Sequence, residues 1–429
     1  MADVQKPREI AFKVLRCRET GDEFVELALE RELNHSKLST RDRGLCHELV
    51  CGCVRWQAAL DQLIVRKTDD RPQKPGLQIL LRLGLYQLFW LDRIPAHAAV
   101  NETVNLAKRA GFGAQAGFVN AILRGYLRDQ DATKQQLADL KITQPALGFS
   151  HPEWLVTRWQ QNFGVEHMLR LLAWNNTPPK TYARVNTLKG EPRQLLEKWR
   201  DEDVEYDFAR RDWLPENLVF ELKAHPPLAT LRSFTDGCFY LQDPSTLLAV
   251  KTLNPQPGEA ILDLCAAPGG KTTFIAQLMN NTGKVVAYDI AAERVNMLLE
   301  NCARLGVSCV EVTKSLEGLV AIFDKVLVDA PCSNTGVMRR RVDLRWRIQP
   351  TEIVRLRAMQ LELLQRAAAL VKPGGVIVYS TCSLESDENA EVVKEFLVTN
   401  TGFRQESERQ LTPFADEVDG AFVARLVKN

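Results

Sequence analysis

The sequence predicts an α/β protein in which a sheet domain follows an all-helical domain and a small α+β subdomain. Apolar residues recur with helical spacing over residues 6–127, whereas residues 261–273 have the pattern of a strand, a tight turn and a helix. Short apolar strands then alternate with helices towards the C-terminus, which is typical of an α/β sheet. We expect the three domains to occupy residues 1–145, 146–235 and 236–429.

Length and composition restrict the class of protein. The 429 residues include 45% hydrophobic and 25% charged residues, which are ordinary values for globular domains. The net charge of +1 excludes a uniformly basic protein, so any nucleic-acid surface has to be local. No apolar run approaches the roughly 20 residues of a membrane span, and the N-terminal MADVQKPREI lacks the apolar core of a signal peptide. We therefore expect a soluble, cytoplasmic protein, and because the ten cysteines form no regular framework, we expect reduced thiols and no metal site.

The first two domains are predicted from helix and strand patterns. In the helical domain, Ser39 precedes Asp42 by three residues, which is the pattern of a capped helix start. In the connecting subdomain, Pro178 and Pro179 end a helix that begins near Glu153. A strand, a helix and two further strands are then expected at residues 182–185, 193–200, 218–222 and 238–241.

The sheet domain is expected to begin with a helix at residues 246–252, capped by the turn at residues 242–245. Gly306 is the expected stop of a later helix. Beyond the first strand, the predicted strands cover residues 284–290, 309–312, 324–328, 376–379 and 419–426. The predicted helices between them cover residues 291–305 and 351–371, and a turn is expected at residues 372–375.

The turn after the first strand of the sheet has the features of a nucleotide-type cofactor site. Its paired glycines, Gly269 and Gly270, let a ligand approach the backbone, and the N–H groups at the next helix start favour electron-rich groups. Asp289 lies 19 residues beyond Gly270, where an acidic residue usually binds ribose hydroxyls. Because the two glycines are adjacent, the dinucleotide spacing G-x-G-x-x-G is not met.

A phosphate-binding loop is the main alternative for this turn. Gly270, Lys271 and Thr272 match the end of G-x-x-x-x-G-K-[ST], but Cys265 stands where the first glycine is required. The apolar strand that ends at Asp329 also resembles a strand that delivers a magnesium-binding aspartate. A phosphate-loop NTPase therefore remains an alternative, although it leaves two cysteines unexplained.

These two cysteines, Cys332 and Cys382, lie just past the carboxyl ends of two predicted strands, at the edge where open α/β sheets bind ligands. Two thiols beside a cofactor turn indicate thiol chemistry. Carbon 5 of cytosine is too weak a nucleophile to take a methyl group unaided, but a thiolate that adds to carbon 6 makes carbon 5 enamine-like. Asp329 could share the proton that ring nitrogen 3 then requires, and Lys271 is a positive neighbour that could activate a thiol.

Three motifs give the chain a family resemblance. Residues 265–272 (CAAPGGKT), 329–333 (DAPCS) and 379–383 (YSTCS) resemble the motifs of the RNA cytosine-5 methyltransferase family, which uses S-adenosylmethionine. The resemblance implies a Rossmann-like, S-adenosylmethionine-dependent methyltransferase sheet. It also implies an RNA substrate. When the helical domain described next is added, the whole chain resembles methyltransferases of small-subunit ribosomal RNA, which implies that RNA as the substrate.

The helical domain resembles the RNA-binding NusB-like domain. This resemblance is carried by residues 8–12 (REIAF), 82–88 (RLGLYQL), 94–97 (IPAH) and 118–124 (FVNAILR). Together the resemblances cover nearly the full chain.

The family resemblance implies roles for individual residues. It makes Cys382 the nucleophile that attacks carbon 6 and Cys332 the thiol that assists product release, with Asp329 and Lys271 beside them. Arg294, in the helix after the second strand, matches a basic residue of the family. The residues implied around the cofactor are Cys265, Ala266, Ala267, Pro268, Gly269, Gly270, Lys271, Asp289, Arg294 and Asp329.

One position departs from the family pattern. Ser315 stands where the family usually has an aspartate near the adenine, and this departure supports a second alternative, a non-catalytic RNA-binding assembly factor. An adenine amino-methyltransferase is disfavoured, because it needs Asp/Asn-Pro-Pro-aromatic where residues 329–332 are DAPC.

A basic segment, residues 338–347, follows the first of the two cysteines. Its five arginines and one tryptophan suit phosphate contacts and base stacking. We therefore expect RNA binding by Arg339, Arg340, Arg341, Arg345 and Trp346.

Overall fold

The computed structural model describes residues 6–429. The first five residues lie outside the described part, and they include half of the N-terminal segment that we predicted not to be a signal peptide. The chain forms two compact units. The first comprises the residues up to Thr177 together with the distant segment Met338–Arg347, and the second comprises Pro178–Val337 and Ile348–Asn429. Within residues 6–429, no helix combines the length and the apolar character that crossing a membrane requires.

The helices and strands are numbered along the chain. The helices are Pro7–Thr20 (α1), Val25–Asn34 (α2), Thr40–Arg55 (α3), Gln57–Lys67 (α4), Pro75–Trp90 (α5), Ala96–Arg109 (α6), Ala116–Arg128 (α7), Gln130–Thr143 (α8), Pro145–Gly148 (α9), Glu153–Asn175 (α10), Pro192–Asp201 (α11), Arg232–Thr235 (α12), Leu247–Leu253 (α13), Gly270–Leu278 (α14), Ala292–Leu305 (α15), Leu344–Arg347 (α16), Pro350–Leu370 (α17), Ala390–Thr399 (α18) and Pro413–Asp416 (α19). The strands are Thr181–Val185 (β1), Glu205–Phe208 (β2), Val219–Ala224 (β3), Phe239–Leu241 (β4), Ala260–Asp263 (β5), Lys284–Tyr288 (β6), Val310–Thr313 (β7), Phe323–Asp329 (β8), Val371–Thr381 (β9), Phe403–Leu411 (β10) and Ala421–Lys428 (β11).

The first unit consists of helices α1–α10 and α16, and the apolar faces of α1–α7 form one continuous core. α1 begins with Pro7, which is tolerated there because the first N–H of a helix has no partner within the helix. Ser39 caps α3 by accepting a hydrogen bond from Asp42 N, as its spacing predicted. α10 is interrupted at Gly164, whose φ of +78° is left-handed and favours glycine. α10 packs with the first unit, whereas we predicted that the connecting subdomain begins near residue 146.

The smaller sheet of the second unit has four antiparallel strands in the order β2-β3-β1-β4. Trp199 of α11 packs edge-on against Phe220 and Phe239, so this helix covers one face of the sheet. The predicted strand, helix and two further strands of the subdomain are confirmed. β2 was not predicted, because three of its four side chains are exposed and leave no apolar alternation.

The larger sheet has seven strands in the order β7-β6-β5-β8-β9-β11-β10. The strands β5 to β9 are parallel, and β11 runs antiparallel between β9 and β10. The carboxyl ends of the five parallel strands therefore meet at one edge. The strand order reverses at β5, with β6 on one side and β8 on the other, and such a switch point is where open α/β sheets bind ligands.

The predicted α/β fold class is confirmed, with three differences in the larger sheet. Gly306 ends α15 in the left-handed region at φ +71°, as expected. Residues 372–375, predicted as a turn, lie inside β9 as an irregularity where the register against β8 shifts. The other two differences are β10 and α18, which were not predicted; β10 is an edge strand of mostly exposed polar residues, so its sequence lacks a strand pattern.

Candidate active site

A buried carboxylate stabilises the turn from β5 to α14 through a hydrogen bond. Asp263 ends β5, and its Oδ2 accepts a hydrogen bond from Thr272 Oγ1 at 2.7 Å. Burial raises the pKa of Asp263 to about 7. Gly269 has a φ of +101°, and a Cβ there would lie 3.1 Å from Leu298 Cγ, so the turn requires glycine at this position.

The other residues of the turn are fixed by neighbouring strands and helices. Ala266 N donates to Tyr288 O of β6 at 3.0 Å, and Pro268 O accepts from Asn301 of α15 at 3.0 Å. Cys265 belongs to the turn, and burial raises the pKa of its thiol, so it is a poor candidate for thiolate chemistry.

Asp289 follows β6 and reaches the same turn. Its Oδ2 accepts from Ala267 N at 3.1 Å, and its Oδ1 accepts from Ala291 N at 2.9 Å. Arg294 lies 3.1 Å from Oδ1, although its own side chain is largely exposed. Because each carboxylate oxygen has two lone pairs and Oδ1 accepts from both Ala291 N and Arg294, Asp289 keeps one accepting site, on Oδ2, for a ribose hydroxyl.

Asp329 ends β8 on the other side of β5 and is paired with Lys271. Lys271 Nζ lies 2.7 Å from Asp329 Oδ2, and Ser380 Oγ donates to Asp329 Oδ1 at 3.2 Å. Burial lowers the pKa of Lys271, but the charge of Asp329 and its hydrogen bond outweigh burial, so this pKa lies above its ordinary value. The ammonium group is therefore charged at neutral pH.

Cys332 and Cys382 are brought together by the pairing of β8 with β9. Their Sγ atoms lie 3.3 Å apart, and Cys382 Sγ lies 3.0 Å from Asn334 Oδ1. The hydrogen bond to Cys382, burial and the charge of a thiolate at Cys382 all raise the pKa of Cys332 well above its ordinary value. Cys332 is buried, whereas Cys382 is partly accessible. Cys382 also acts on Lys271, because a thiolate at Cys382 contributes to the raised pKa of that lysine.

The structure adds residues that the sequence analysis did not single out. Glu388 is fully buried and binds the serines that follow both cysteines. Arg184 of β1 is also fully buried, and it donates to Gly270 O at 2.8 Å and to Thr273 Oγ1 at 3.1 Å. Burial lowers the pKa of Arg184 to about 9. One signal in the sequence could have pointed to the first of these residues, namely that each cysteine is followed directly by serine.

The basic segment Met338–Arg347 packs into the first unit, and this corrects part of the RNA-binding prediction. Arg345 is fully buried and donates to the carbonyls of Arg55, Ser150 and Asn175 at 3.2, 3.3 and 2.9 Å. Arg339 is also buried, with its guanidinium 4.1 Å from the ring centre of Trp174.

Trp346 is half-buried against the helical core, and its Nε1 donates to Val54 O at 2.7 Å. Arg339 and Arg345 therefore cannot bind phosphates, and the indole N–H of Trp346 already has a partner within the helical unit. Arg340 and Arg341, which are half-buried and exposed, stay predictions as RNA-binding residues.

Ser315, the departure from the family pattern, lies in the exposed loop after β7. Its Oγ accepts from Glu317 N at 3.1 Å, and its carbonyl accepts from Thr313 Oγ1 at 2.7 Å. These bonds order the loop locally.

The residues at this edge of the sheet fit S-adenosylmethionine. Asp289 and Asp329 stand on the two sides of the glycine turn, and carboxylates there can accept hydrogen bonds from ribose hydroxyls and from the amino group of a methionine moiety. The mixed seven-stranded sheet, its switch-point turn and these acceptors define a Rossmann-like, S-adenosylmethionine-dependent methyltransferase.

Comparison with known proteins specifies the class further. Family models match residues 250–427 (16S rRNA methyltransferase RsmB/F), residues 5–128 (NusB family) and residues 151–224 (Methyltr_RsmF/B-like, ferredoxin-like domain). A probable ribosomal RNA small subunit methyltransferase B of Bacillus subtilis is 36% identical, over 92% of this chain and 89% of that protein. A protein of the same name from Synechocystis is 37% identical, over 98% and 99%.

Among solved structures, a methyltransferase homologue from Pyrococcus horikoshii has a TM-score of 0.58 and 29% identity, covering 66% of this chain and 97% of that one. The chain therefore belongs to the 16S rRNA methyltransferase RsmB/F family and carries the NusB domain that its N-terminal sequence indicated. This membership decides against the phosphate-loop NTPase.

Proposed function

We propose that the protein transfers a methyl group to carbon 5 of a cytosine in small-subunit ribosomal RNA, and that Cys382 bonds covalently to carbon 6 during the reaction. One observation carries this proposal: two sulfurs lie 3.3 Å apart on the loops that follow the adjacent parallel strands β8 and β9. The names of the relatives from Bacillus subtilis and Synechocystis support small-subunit ribosomal RNA as the substrate. With this substrate, we propose that the enzyme acts in the cytoplasm.

Addition of the Cys382 thiolate to carbon 6 is the first step. The sulfur is partly accessible, so a cytosine that has left its base stack can reach it. Lys271 supplies a positive charge nearby, which attracts a thiolate at Cys382.

The pair of Lys271 and Asp329 can donate a proton to ring nitrogen 3. When sulfur bonds to carbon 6, electron density moves through the ring to nitrogen 3, which must be protonated for the addition to persist. Lys271 Nζ is 2.7 Å from Asp329 Oδ2, so a proton from Lys271 can pass through Asp329 to the ring. S-adenosylmethionine, when bound, would supply the electrophilic methyl group to the enamine-like carbon 5; the bond from that methyl to the sulfonium sulfur breaks, and S-adenosylhomocysteine is the leaving group.

Cys332 is suited to the release step. Once Cys382 is bonded to carbon 6, its sulfur carries no negative charge and is a poor acceptor for the Cys332 thiol, so two of the causes that raise the pKa of Cys332 are removed. Cys332 can then lose its proton to solvent water and, as a thiolate, take the hydrogen of carbon 5, which makes it a thiol again. The electrons of that C–H bond reform the C5–C6 double bond, the thiolate of Cys382 leaves, and nitrogen 3 returns its proton to Asp329.

The test uses Cys382→Ala and Cys332→Ala with small-subunit ribosomal RNA, both naked and partly assembled. Cys382→Ala is expected to lower the rate of 5-methylcytosine formation by at least about 10³-fold, because the covalent route is lost. Cys332→Ala is expected to accumulate a covalent RNA adduct, which migrates slowly on a denaturing gel. The product is identified by mass spectrometry of digested RNA labelled from isotopic S-adenosylmethionine.

Cys309→Ala is the matched control, because this thiol lies in the same unit but at the amino end of β7, away from the two sulfurs. It should retain full turnover. Full turnover by Cys382→Ala, or a methyl group found anywhere except carbon 5, would contradict the proposal.

The RNA-binding surface is proposed to include Arg340 and Arg341, with the NusB domain as a further contact. Arg341 is exposed and Arg340 is half-buried. Arginines bind phosphates through paired N–H groups, and this binding weakens as the salt concentration rises, because the release of counterions from the RNA then gains less free energy.

A further inference from the structure

Glu388 lies in a fully buried polar cluster beside the two loops that carry the thiols. Ser333 N donates to Glu388 Oε1 at 2.8 Å, and Gln360 Nε2 donates to the same oxygen at 3.1 Å. Ser383 Oγ donates to Oε2 at 2.6 Å, and Ser333 Oγ donates to Oε2 as well. The carboxylate thus accepts four hydrogen bonds, all from neutral groups.

The two serines of this cluster are neighbours of the two cysteines in the sequence. Ser333 directly follows Cys332, and Ser383 directly follows Cys382. Their hydroxyl oxygens lie 3.0 Å apart while both bind the same carboxylate. One side chain therefore ties the loop after β8 to the loop after β9 at the residues next to the sulfurs.

We propose that Glu388, Ser333, Ser383 and Gln360, here called the Glu388 clamp, position Cys332 and Cys382 for catalysis by fixing the distance between their sulfurs. The carboxylate of Glu388 is bound by Ser333, Ser383 and Gln360 and acts through the two serines, so Glu388 is a positioning residue. The inference rests on the proposed roles of the two cysteines.

The energetics favour this role over simple packing. A buried carboxylate is unfavourable in its charged form, and burial raises the pKa of Glu388 although the four hydrogen bonds oppose that shift. An apolar side chain could fill the same volume without this penalty, but it could not hold two loops through directional bonds. Tyr379 strengthens the arrangement from the backbone side, because its OH donates to Glu388 O at 2.5 Å.

The thiol distance can be measured without RNA or S-adenosylmethionine. In a glutathione buffer, one oxidised glutathione takes two electrons from the two thiols, so that one Cys332–Cys382 disulfide forms and two reduced glutathiones are released. The sulfurs start 3.3 Å apart and bond at about 2.05 Å, so the wild-type protein is expected to form this disulfide readily. The disulfide is quantified by mass spectrometry of the linked peptide.

Glu388→Ala is expected to lower the equilibrium constant for this disulfide at least about tenfold, because the loops no longer hold the sulfurs together. Glu388→Gln keeps the shape and one acceptor oxygen and should restore most of the wild-type value. The variant Ser333→Ala/Ser383→Ala should match Glu388→Ala, and adding Glu388→Ala to it should lower the constant little further. With RNA, Glu388→Ala should lower kcat while leaving the KM for S-adenosylmethionine unchanged.

Asn186→Ala is the matched control for a general loss of stability. Asn186 is also buried, and its Nδ2 donates to Gly237 O and Leu305 O at 2.8 Å, far in the chain from both cysteines. It should destabilise the fold but leave the disulfide equilibrium unchanged. An unchanged equilibrium in Glu388→Ala, or in the double serine variant if Glu388→Ala fails to fold, would overturn the clamp. That result would not contradict the proposed methyl transfer, which is tested separately by the activity of Cys382→Ala.

Discussion

The sequence predicts ligand binding for both the cofactor turn, residues 265–271, and the basic segment, residues 338–347, but the charged side chains of the two segments lie in different environments. Lys271 of the turn reaches Asp329 at the carboxyl edge of the sheet. Arg345 of the segment is instead sealed inside the helical unit. A residue at the end of a parallel strand is thus placed by the topology of the sheet, whereas the charge of a residue in a long loop does not decide where that residue lies.

The partners of these two cations explain the difference. Lys271 faces a carboxylate, which keeps its pKa above the ordinary value despite burial. Arg345 donates to three backbone carbonyls and to Asn176 Oδ1 at 2.8 Å, and burial lowers its pKa to about 9. Asp343, two residues earlier, is also buried and accepts a hydrogen bond from Arg18 Nε at 2.6 Å. The segment therefore serves the helical unit as an anchor.

Arg345→Ala should give the largest effect and sharpens the comparison. It leaves carbonyls without donors and opens a cavity, so we expect it to lower the free energy of unfolding by roughly 3 kcal/mol or more. Urea unfolding followed by circular dichroism measures this change. Arg341→Ala, an exposed neighbour, should stay within about 0.5 kcal/mol of the wild type. If Arg345→Ala were as stable as the wild type but bound RNA more weakly, our interpretation of the basic segment as an anchor of the helical unit would be wrong.

Lys271→Ala should have the next largest effect, on rate instead of stability. Without the ammonium group, nitrogen 3 loses its proton source and the Cys382 thiolate loses a nearby positive charge. Single-turnover methyl transfer should therefore slow by about 10²-fold. Isothermal titration with S-adenosylmethionine separates this rate effect from cofactor binding. Lys284→Ala, at the amino end of β6, is the control and should transfer methyl groups at the wild-type rate.

Reversing charge at Arg340 and Arg341 should give the smallest of the three effects. Replacing both by glutamate is expected to weaken RNA binding several-fold. If the RNA is single-stranded, the salt slope should fall by about 0.7 for each phosphate that the variant no longer neutralises. Filter binding across a series of salt concentrations measures both quantities.

Glutamate at Arg193 and Lys394, two exposed positions elsewhere, changes the net charge equally and should leave the salt slope alone. Unchanged affinity and slope after reversal at Arg340 and Arg341 would remove the basic segment from RNA binding altogether.

Much of the fold could be predicted from local patterns. The cap at Ser39 and the stop at Gly306 are read directly, because each satisfies a helix end with residues that are neighbours in sequence. β10 could not be predicted, since it is an edge strand whose polar side chains face solvent and whose stability depends on pairing with β11. Residues 372–375 carry turn residues and have no partner in β8 or β11, but β9 continues past them, because Val371 pairs with β8 before them and Val376 pairs with both neighbouring strands after them.

The candidate site divides in the same way. The turn, Asp289, Asp329 and the two cysteines could be predicted, because each follows a recognisable strand and parallel strands bring such positions to one edge. Glu388 and Arg184 could not, because they act through hydrogen bonds to residues that are distant in the chain.

The sequence by itself determined the α/β class, the helical first domain and the motif residues that line the sheet edge, since periodicity and strand ends depend on neighbours along the chain. Only the tertiary structure decided which charged side chains are buried, how far apart the two sulfurs lie and what holds them there. Burial and hydrogen-bond partners depend on segments that meet in space, such as Arg345 with Asn175 and Ser333 with Glu388, and no local pattern encodes those meetings.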